Sequence, residues 1–343
     1  MFRRNDGPPN VHALPTKPVL QQRRNTLTRN EKGTGPSRSK IIAAFAAIYT
    51  IWGSTYLFIR FTIETIPPFL MGGVRFMLAG AILYTWSRIR TGEKPTPAHW
   101  KTTAVVGACL VFGGNGAVVW AEQFVPSGMT ALLVAILPFW MVLIDWLRPN
   151  GRRPTIGVAI GLVVGVIGLV VLIGPSAMQP SGAETQAGNG VALKGAIALM
   201  LGSLAWATGS IYSQHHPLPK SAFLATGMEM FLGGAMLFVA AVLRGELTQF
   251  DLASVSARSM IGFLYLTTVG SLVGFTAYIW LLGNQPPSRV STYAYVNPVV
   301  AVFLGWAFAG EPLSLRTAIA AAIIIGAVAL ITTARSGSPQ EQE

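Results

Sequence analysis

Two apolar decamers, GGVRFMLAGA (72–81) and TGMEMFLGGA (226–235), each carry one ionisable residue at the same place, Arg75 in the first and Glu229 in the second. Inside an apolar segment such groups are costly unless paired or wetted, so each is a functional candidate. The planar guanidinium can give a carboxylate two parallel hydrogen bonds, and a glutamate can take an amine or a coupling proton. Three readings stand open: a clamp on a substrate, a structural ion pair between the two, or two separate groups facing water.

Other polar groups punctuate the apolar runs. Glu122, in VVWAEQFVPSG, is either a solvated interfacial carboxylate or a gate or proton relay. Asp145 precedes Arg148 by three positions, the spacing of a helical surface pair. Glu64 and Glu311 fall in connections and read as solvated. Tyr49, Trp52, Ser54, Thr55 and Tyr56 crowd one segment, and Trp206, Thr208, Ser210 and Tyr212 another. Asn115, Tyr278, Tyr293, Tyr295 and Asn297 add to them. From these, Trp52, Tyr56, Asn115, Trp206, Tyr295 and Asn297 join Arg75 and Glu229 as candidate substrate-binding residues, in competition with ordinary packing and interfacial belts. Asn297 precedes Pro298, whose counterpart is Pro138; a proline frees a carbonyl and kinks a helix.

Catalytic signatures are missing. The chain has no HExxH, no P-loop and no aspartate-rich diphosphate motif. Its four histidines, His12, His99, His215 and His216, fall in a tail or near loops, and Cys109 is its single cysteine. No enzyme, cofactor or metal site is expected. Without a P-loop, flux would be driven by an ion or substrate gradient; a channel is the rival reading.

The elements that must position these residues are membrane helices. Of 343 residues 52% are hydrophobic and 11% charged, with mean hydropathy +0.52; soluble domains carry about 25% charged residues. The net charge of +12 does not point to nucleic acid, because the basic residues sit in a tail and short loops. Residues 1–40 read as a disordered basic cytoplasmic tail. Ten apolar segments follow, at 41–61, 68–88, 102–121, 127–147, 154–174, 192–212, 221–243, 259–282, 288–309 and 314–333. They divide into repeats at 41–174 and 192–333, with a linker at 175–191 and a cytoplasmic tail at 334–343. Nineteen of the 25 Lys and Arg fall on one set of flanks and five on the other, which predicts both termini in the cytoplasm. Gly157, Gly161, Gly165 and Gly168 form a small-residue stripe for helix packing, within the chain or in a homodimer.

The two halves repeat. Trp52 and Trp206, Arg75 and Glu229, and Gly80 and Gly234 are each 154 apart. Later the offset becomes 160, for Gly114 and Gly274, Trp120 and Trp280, Pro138 and Pro298, and Trp146 and Trp306. Five helices per unit is odd, so the second unit enters the membrane from the opposite side. The expected fold is all-α and integral to the membrane: ten transmembrane helices as two inverted five-helix repeats, an architecture of secondary transporters with the substrate near the midplane. Counting residues in from the segment ends puts Arg75 and Glu229 about 6 Å apart along the membrane normal. That separation would let them meet across the repeat interface.

Several stretches resemble the drug/metabolite transporter superfamily, EamA type. These are AIYTIWGSTYLFIR with PPFLMGGVRFMLAGAIL, then GNGAVVWAEQFVPSGMTALLVAILPFW, then STYAYVNPVVAVFLGWAFAGEPLS. Within the family the likeness is to a YedA-like group of inner-membrane exporters. The resemblance spans about 40–335 and implies ten helices, cytoplasmic termini and secondary-active export of small metabolites such as amino acids, with multidrug efflux as the alternative. The expected partners are a small-molecule substrate, the lipid bilayer and, as one candidate for the coupling ion that the sequence does not fix, a proton; no nucleic acid is expected. The long basic N-terminal tail departs from the family pattern.

Overall fold

The computed structural model describes residues 36–148, 153–173, 193–285, 287–290 and 292–336. Most of the expected N-terminal tail, the 175–191 linker and the end of the C-terminal tail lie outside them. The chain divides into two compact units, one ending at Ile41 and one beginning at Ile42; the second carries the helical bundle and the candidate site.

The described residues contain no strand. Ten apolar helices occur in order: α1 Arg38–Thr62, α2 Pro68–Thr91, α3 Pro97–Ala121, α4 Ser127–Leu147, α5 Ile156–Ile173, α6 Leu193–Ser213, α7 Ala222–Leu243, α8 Ala257–Leu282, α9 Tyr293–Ala309 and α10 Leu315–Ser336. Nine of these are long and apolar enough to cross a membrane, and α9 is shorter, at 17 residues. The expected ninth segment, 288–309, is divided: a separate turn, Pro287–Val290, precedes α9. The third begins at Pro97 rather than 102, because Thr96 and His99 form a capping box ahead of the apolar run.

The two prolines act differently. Pro138 has no N–H to give the preceding turn, and α4 is interrupted between Val134 and Leu137. Pro298 sits inside an unbroken α9. In α3 and α8 the centre of the span is wound as a π-helix, at Ala108–Asn115 and Leu266–Val273. These stretches occupy corresponding places in the two repeats. Such windings are uncommon and often mark functional sites.

The inverted symmetry is clearest where α2 packs on α7. A Cβ built on Gly73 would stand 2.7 Å from the backbone nitrogen of Phe238, and one on Gly227 would stand 2.6 Å from that of Tyr84. Gly80 lies against Phe231 in the same way, and a Cβ on Gly234 would stand 2.7 Å from the nitrogen of Met77. In all four contacts the residue numbers add to 311, so the helices run antiparallel and the pseudo-two-fold axis passes beside Ala79 and Gly233. Only glycine lets two helix backbones come this close.

The flanking contacts obey the same exchange. The indole of Trp52 on α1 lies on Gly274 of α8, and that of Trp206 on α6 lies on Gly114 of α3. Gly92 and Gly245 end α2 and α7 with φ of 66° and 71°, and the next residue in each case is a glutamate that caps the other helix. Glu93 accepts from the backbone N–H of Lys220 (2.8 Å) and Ser221 (3.0 Å) before α7, and Glu246 accepts from that of Leu70 (2.8 Å) in α2. The two backbone N–H donors hold the Glu93 carboxyl below the usual carboxylate range, whereas burial pushes that of Glu246 up. A depressed carboxylate contributes stability above its unfolded pKa and loses it as pH falls through the folded one. Glu93→Gln should therefore lower the melting temperature at neutral pH, with the difference closing in acid. Melting curves across pH check this, and a difference that persists in strong acid would show that Glu93 acts by packing instead.

The glycine stripe faces inward: Gly161, Gly165 and Gly168 of α5 lie against Ile331, Ala327 and Ile324 of α10. Arg316 closes this pair by donating to the last carbonyls of α5, at Val171 (2.8 Å), Leu172 (2.7 Å) and Ile173 (2.6 Å).

Candidate functional site

Arg75 projects from α2 against the π-wound stretch of α8. It is 3% exposed, its Nε donates to Ser271 Oγ at 3.1 Å, and its guanidinium carbon stands 4.5 Å from the centre of the Phe76 ring. A Cβ on Gly270 would stand 3.5 Å from Arg75 Nη2 and 3.3 Å from the Thr55 methyl, so α1, α2 and α8 meet at this point. Nη1 is buried with no hydrogen-bond partner. Among the described residues no carboxylate pairs with Arg75; the ion pairs are Arg148–Asp145 at 3.5 Å and Arg258–Glu64 at 3.3 Å. The first is the expected i,i+3 pair, and the second corrects the reading of Glu64 as merely solvated.

Glu229 does not meet Arg75. The α2–α7 register sets Glu229 level with Ile82, seven residues along α2 from Arg75. At 1.5 Å per residue that is about 10 Å, more than the separation expected from segment ends. The two also face different neighbours: Arg75 faces α8, while Glu229 is half-buried on α7, where a Cβ on Gly107 of α3 would stand 2.5 Å from its carbonyl oxygen. The pseudo-axis thus places the opposite charges in two related half-sites.

The first half-site is aromatic beside Arg75. Trp52 contacts Phe275, Tyr278 and Tyr293 with ring centroids 5.2, 5.1 and 5.1 Å away. This box combines α1 of one repeat with α8 and α9 of the other. It lies one turn along α8 from Arg75, because Trp52 rests on Gly274 and Arg75 on Gly270. Tyr56 lies one turn further along α1 from Trp52. The second half-site holds Trp206, Glu229 and Asn115. Asn115 Nδ2 donates to the Leu110 carbonyl at 3.1 Å, five residues back, and so satisfies an acceptor of the π-wound turn. The other two candidates fall elsewhere. Tyr295 packs on the apolar cluster that contains Leu132, Leu133 and Ile136. Asn297 is buried where α9 crosses α1; its carbonyl faces Gly53 and its Oδ1 has no partner.

A third group gathers where α3 ends and α4 begins. Glu122 is fully buried, and neither carboxylate oxygen has a hydrogen-bond partner; it is not the solvated carboxylate that one reading allowed. Arg60 Nη1 donates at 2.8 Å to the backbone carbonyl of Glu122, not to its side chain. Glu311 is not simply solvated either: Oε1 accepts from the Ser127 N–H at 2.6 Å and Oε2 from that of Gly128 at 3.0 Å.

Sequence reasoning passed over Ser271, Phe275, Arg60 and the capping pair Glu93 and Glu246. A signal for the capping pair was present, since Gly92-Glu93 and Gly245-Glu246 recur at nearly the repeat offset.

Comparison with known proteins agrees with this architecture. The EamA-like transporter family matches residues 39–174 and again 193–333. The chain is 36% identical over 296 residues to the uncharacterized inner membrane transporter YedA of Escherichia coli (strain K12), covering 85% of this chain and 90% of that protein. It is 25% identical over 294 residues to a probable amino-acid metabolite efflux pump of Salmonella typhimurium (strain LT2), covering 81% and 91%. A crystal structure at 21% identity superposes with a TM-score of 0.57, over 88% of this chain and all of the other, and supports the fold alone. Two matched repeats, an inverted ten-helix bundle and a relative of this identity together show that the chain belongs to the EamA-like transporter family.

Proposed function

We propose that the protein is a secondary-active inner-membrane exporter of small metabolites, amino acids or related compounds, working by alternating access. The observation that carries this reading is the unpaired guanidinium of Arg75, buried beside an aromatic box built from both repeats. A buried cation with no counter-charge is a standing cost, and a substrate carboxylate relieves it with two parallel hydrogen bonds. The box takes the rest of the substrate. Glu229, about 10 Å away in the related half-site, takes an amine or a coupling proton. Related half-sites on either side of a pseudo-axis suit a carrier, because exchanging the conformations of the two repeats opens the same volume to the other face.

The basic flanks support cytoplasmic termini, and in that orientation the end of the bundle with Arg60, Glu122, Ser127 and Glu311 faces outward. The relative named a probable amino-acid metabolite efflux pump supports export, and the one named an inner membrane transporter supports the location. The four-ring box also suits flat cationic drugs through cation–π contact, which keeps multidrug efflux as the second reading.

Counterflow into proteoliposomes preloaded with pooled amino acids, nucleosides or cationic drugs separates them. Accumulation against the amino-acid pool supports the first reading and accumulation against the cationic pool the second. Flux that shows no counterflow would replace the carrier with a channel.

A further inference from the structure

Where α4 begins, the bundle is closed by α9. A Cβ on Gly128 would stand 2.9 Å from the Cα of Val302, and one on Gly305 would stand 3.0 Å from Ser127 Oγ. Glu311 lies over the same glycine and clasps the first turn of α4 with both oxygens. Two hydroxyls in this seal, Ser127 Oγ and Thr130 Oγ1, are fully buried and have no partner. Glu122 lies five residues before Ser127, also fully buried, with both oxygens unpartnered.

An ionised carboxylate cannot persist in that setting. The charged groups that act on Glu122 are Arg60 and Glu311, with the Tyr56 hydroxyl also in range. The oxygens of Glu311 are already used by two backbone N–H groups. Arg60 spends a hydrogen bond on the backbone carbonyl of Glu122, and Lys194 of α6 stands over the Phe124 ring at 3.6 Å. A second anion close by and no hydrogen-bond donor on either oxygen leave the neutral acid as the stable form.

We propose that Glu122 is a proton-binding site built into the α4–α9 seal, and that the seal opens as this proton leaves. When Ser127 and Gly128 part from Glu311, water reaches Glu122, the O–H bond breaks and the proton passes to that water. Closing the seal requires the proton to return from the face that the seal guards. Resting on the carrier reading, this makes the seal a pH-sensitive gate: it gives one proton to the water of the guarded face on opening and takes one back from that face on closing, with no proton carried across the membrane.

Two experiments on the full chain in lipid nanodiscs test it. Infrared spectra at neutral pH should show the carbonyl stretch of a protonated carboxylic acid that Glu122→Gln removes and Glu229→Gln leaves. An unchanged band in Glu122→Gln protein overturns the proposal. In a Cys109→Ala background, Met129→Cys places a reporter in the small cavity shared with Val302, Trp306 and Glu311. Its labelling by a membrane-impermeant maleimide, divided at each pH by that of a fully exposed cysteine to remove the thiol's own ionisation, should rise with pH, about tenfold per unit while Glu122 titrates, and stay low and flat when Glu122→Gln is added. A pH profile that survives Glu122→Gln overturns the proposal. The infrared band does not depend on transport, so failure of counterflow would remove the carrier reading and leave the proton site standing.

Discussion

Arg75→Met protein is expected to lose about 10- to 100-fold in carboxylate exchange while melting at the same temperature as the parent or higher. The two halves of this result follow from one fact. In the substrate-free structure Nη1 of Arg75 is buried without a partner and no described carboxylate neutralises the guanidinium. Removing an uncompensated buried charge relieves a cost, whereas removing one member of a buried ion pair would cost about 3–5 kcal/mol. A structural role therefore predicts lower stability, and a substrate role predicts retained stability with lost transport. Arg75→Lys keeps the charge but not the planar fork, and should recover only part of the rate. Arg75→Met protein that transports normally would show that the guanidinium does not touch the substrate.

Gly80→Ala and Gly234→Ala are expected to destabilise the protein by about 1–3 kcal/mol each, by overpacking. A Cβ on Gly80 would meet the backbone of Phe231 and Gly227, and one on Gly234 that of Met77. Backbone atoms have no rotamer to yield, so the helices themselves must part. Because the two sites share one interface, the double variant should cost less than the sum of the singles: the first Cβ has already opened the gap. Gly326→Ala is the control. Nothing lies within 4 Å of its added Cβ, and alanine is favoured over glycine in a helix interior by up to about 1 kcal/mol. Melting curves in detergent, with retained ten-helix content by circular dichroism, decide the matter. A Gly80→Ala variant as stable as Gly326→Ala would mean the α2–α7 pair is looser than described.

Much of the fold was legible from the residues alone, because membrane helices announce themselves by length and apolarity. The repeat was visible in Trp, Gly and Pro, and the structure explains why those types carry it. Trp52 and Trp206 rest on Gly274 and Gly114, and Gly73, Gly80, Gly227 and Gly234 let α2 and α7 touch backbone to backbone. The position of Arg75 inside a helix was legible, but its distance from Glu229 was not. Depth counted from segment ends carries an error of several residues, and the register that corrects it comes from which glycine meets which backbone. The π-wound turns also left no readable trace, so the hydrogen bond from Asn115 to Leu110 within the one in α3 could not be anticipated. Glu122 and Glu311 illustrate a different limit. Both lie at segment ends where solvation is the ordinary fate of a carboxylate; one is instead sealed and unpartnered, and the other caps a helix from a different repeat.

The central claim is that the α4–α9 seal must open for substrate to cross. Ser127 Oγ stands 3.0 Å from the Cβ that Gly305 would carry, close to the ~3 Å between a sulfur and its partner's Cβ that disulfide geometry requires. Ser127→Cys with Gly305→Cys, in a Cys109→Ala background, can therefore lock the seal, with the Glu311 side chain swinging aside. Counterflow in proteoliposomes should be lost on oxidation and regained on reduction. Exchange that continues at full rate in the fully cross-linked protein would contradict alternating access through this seal.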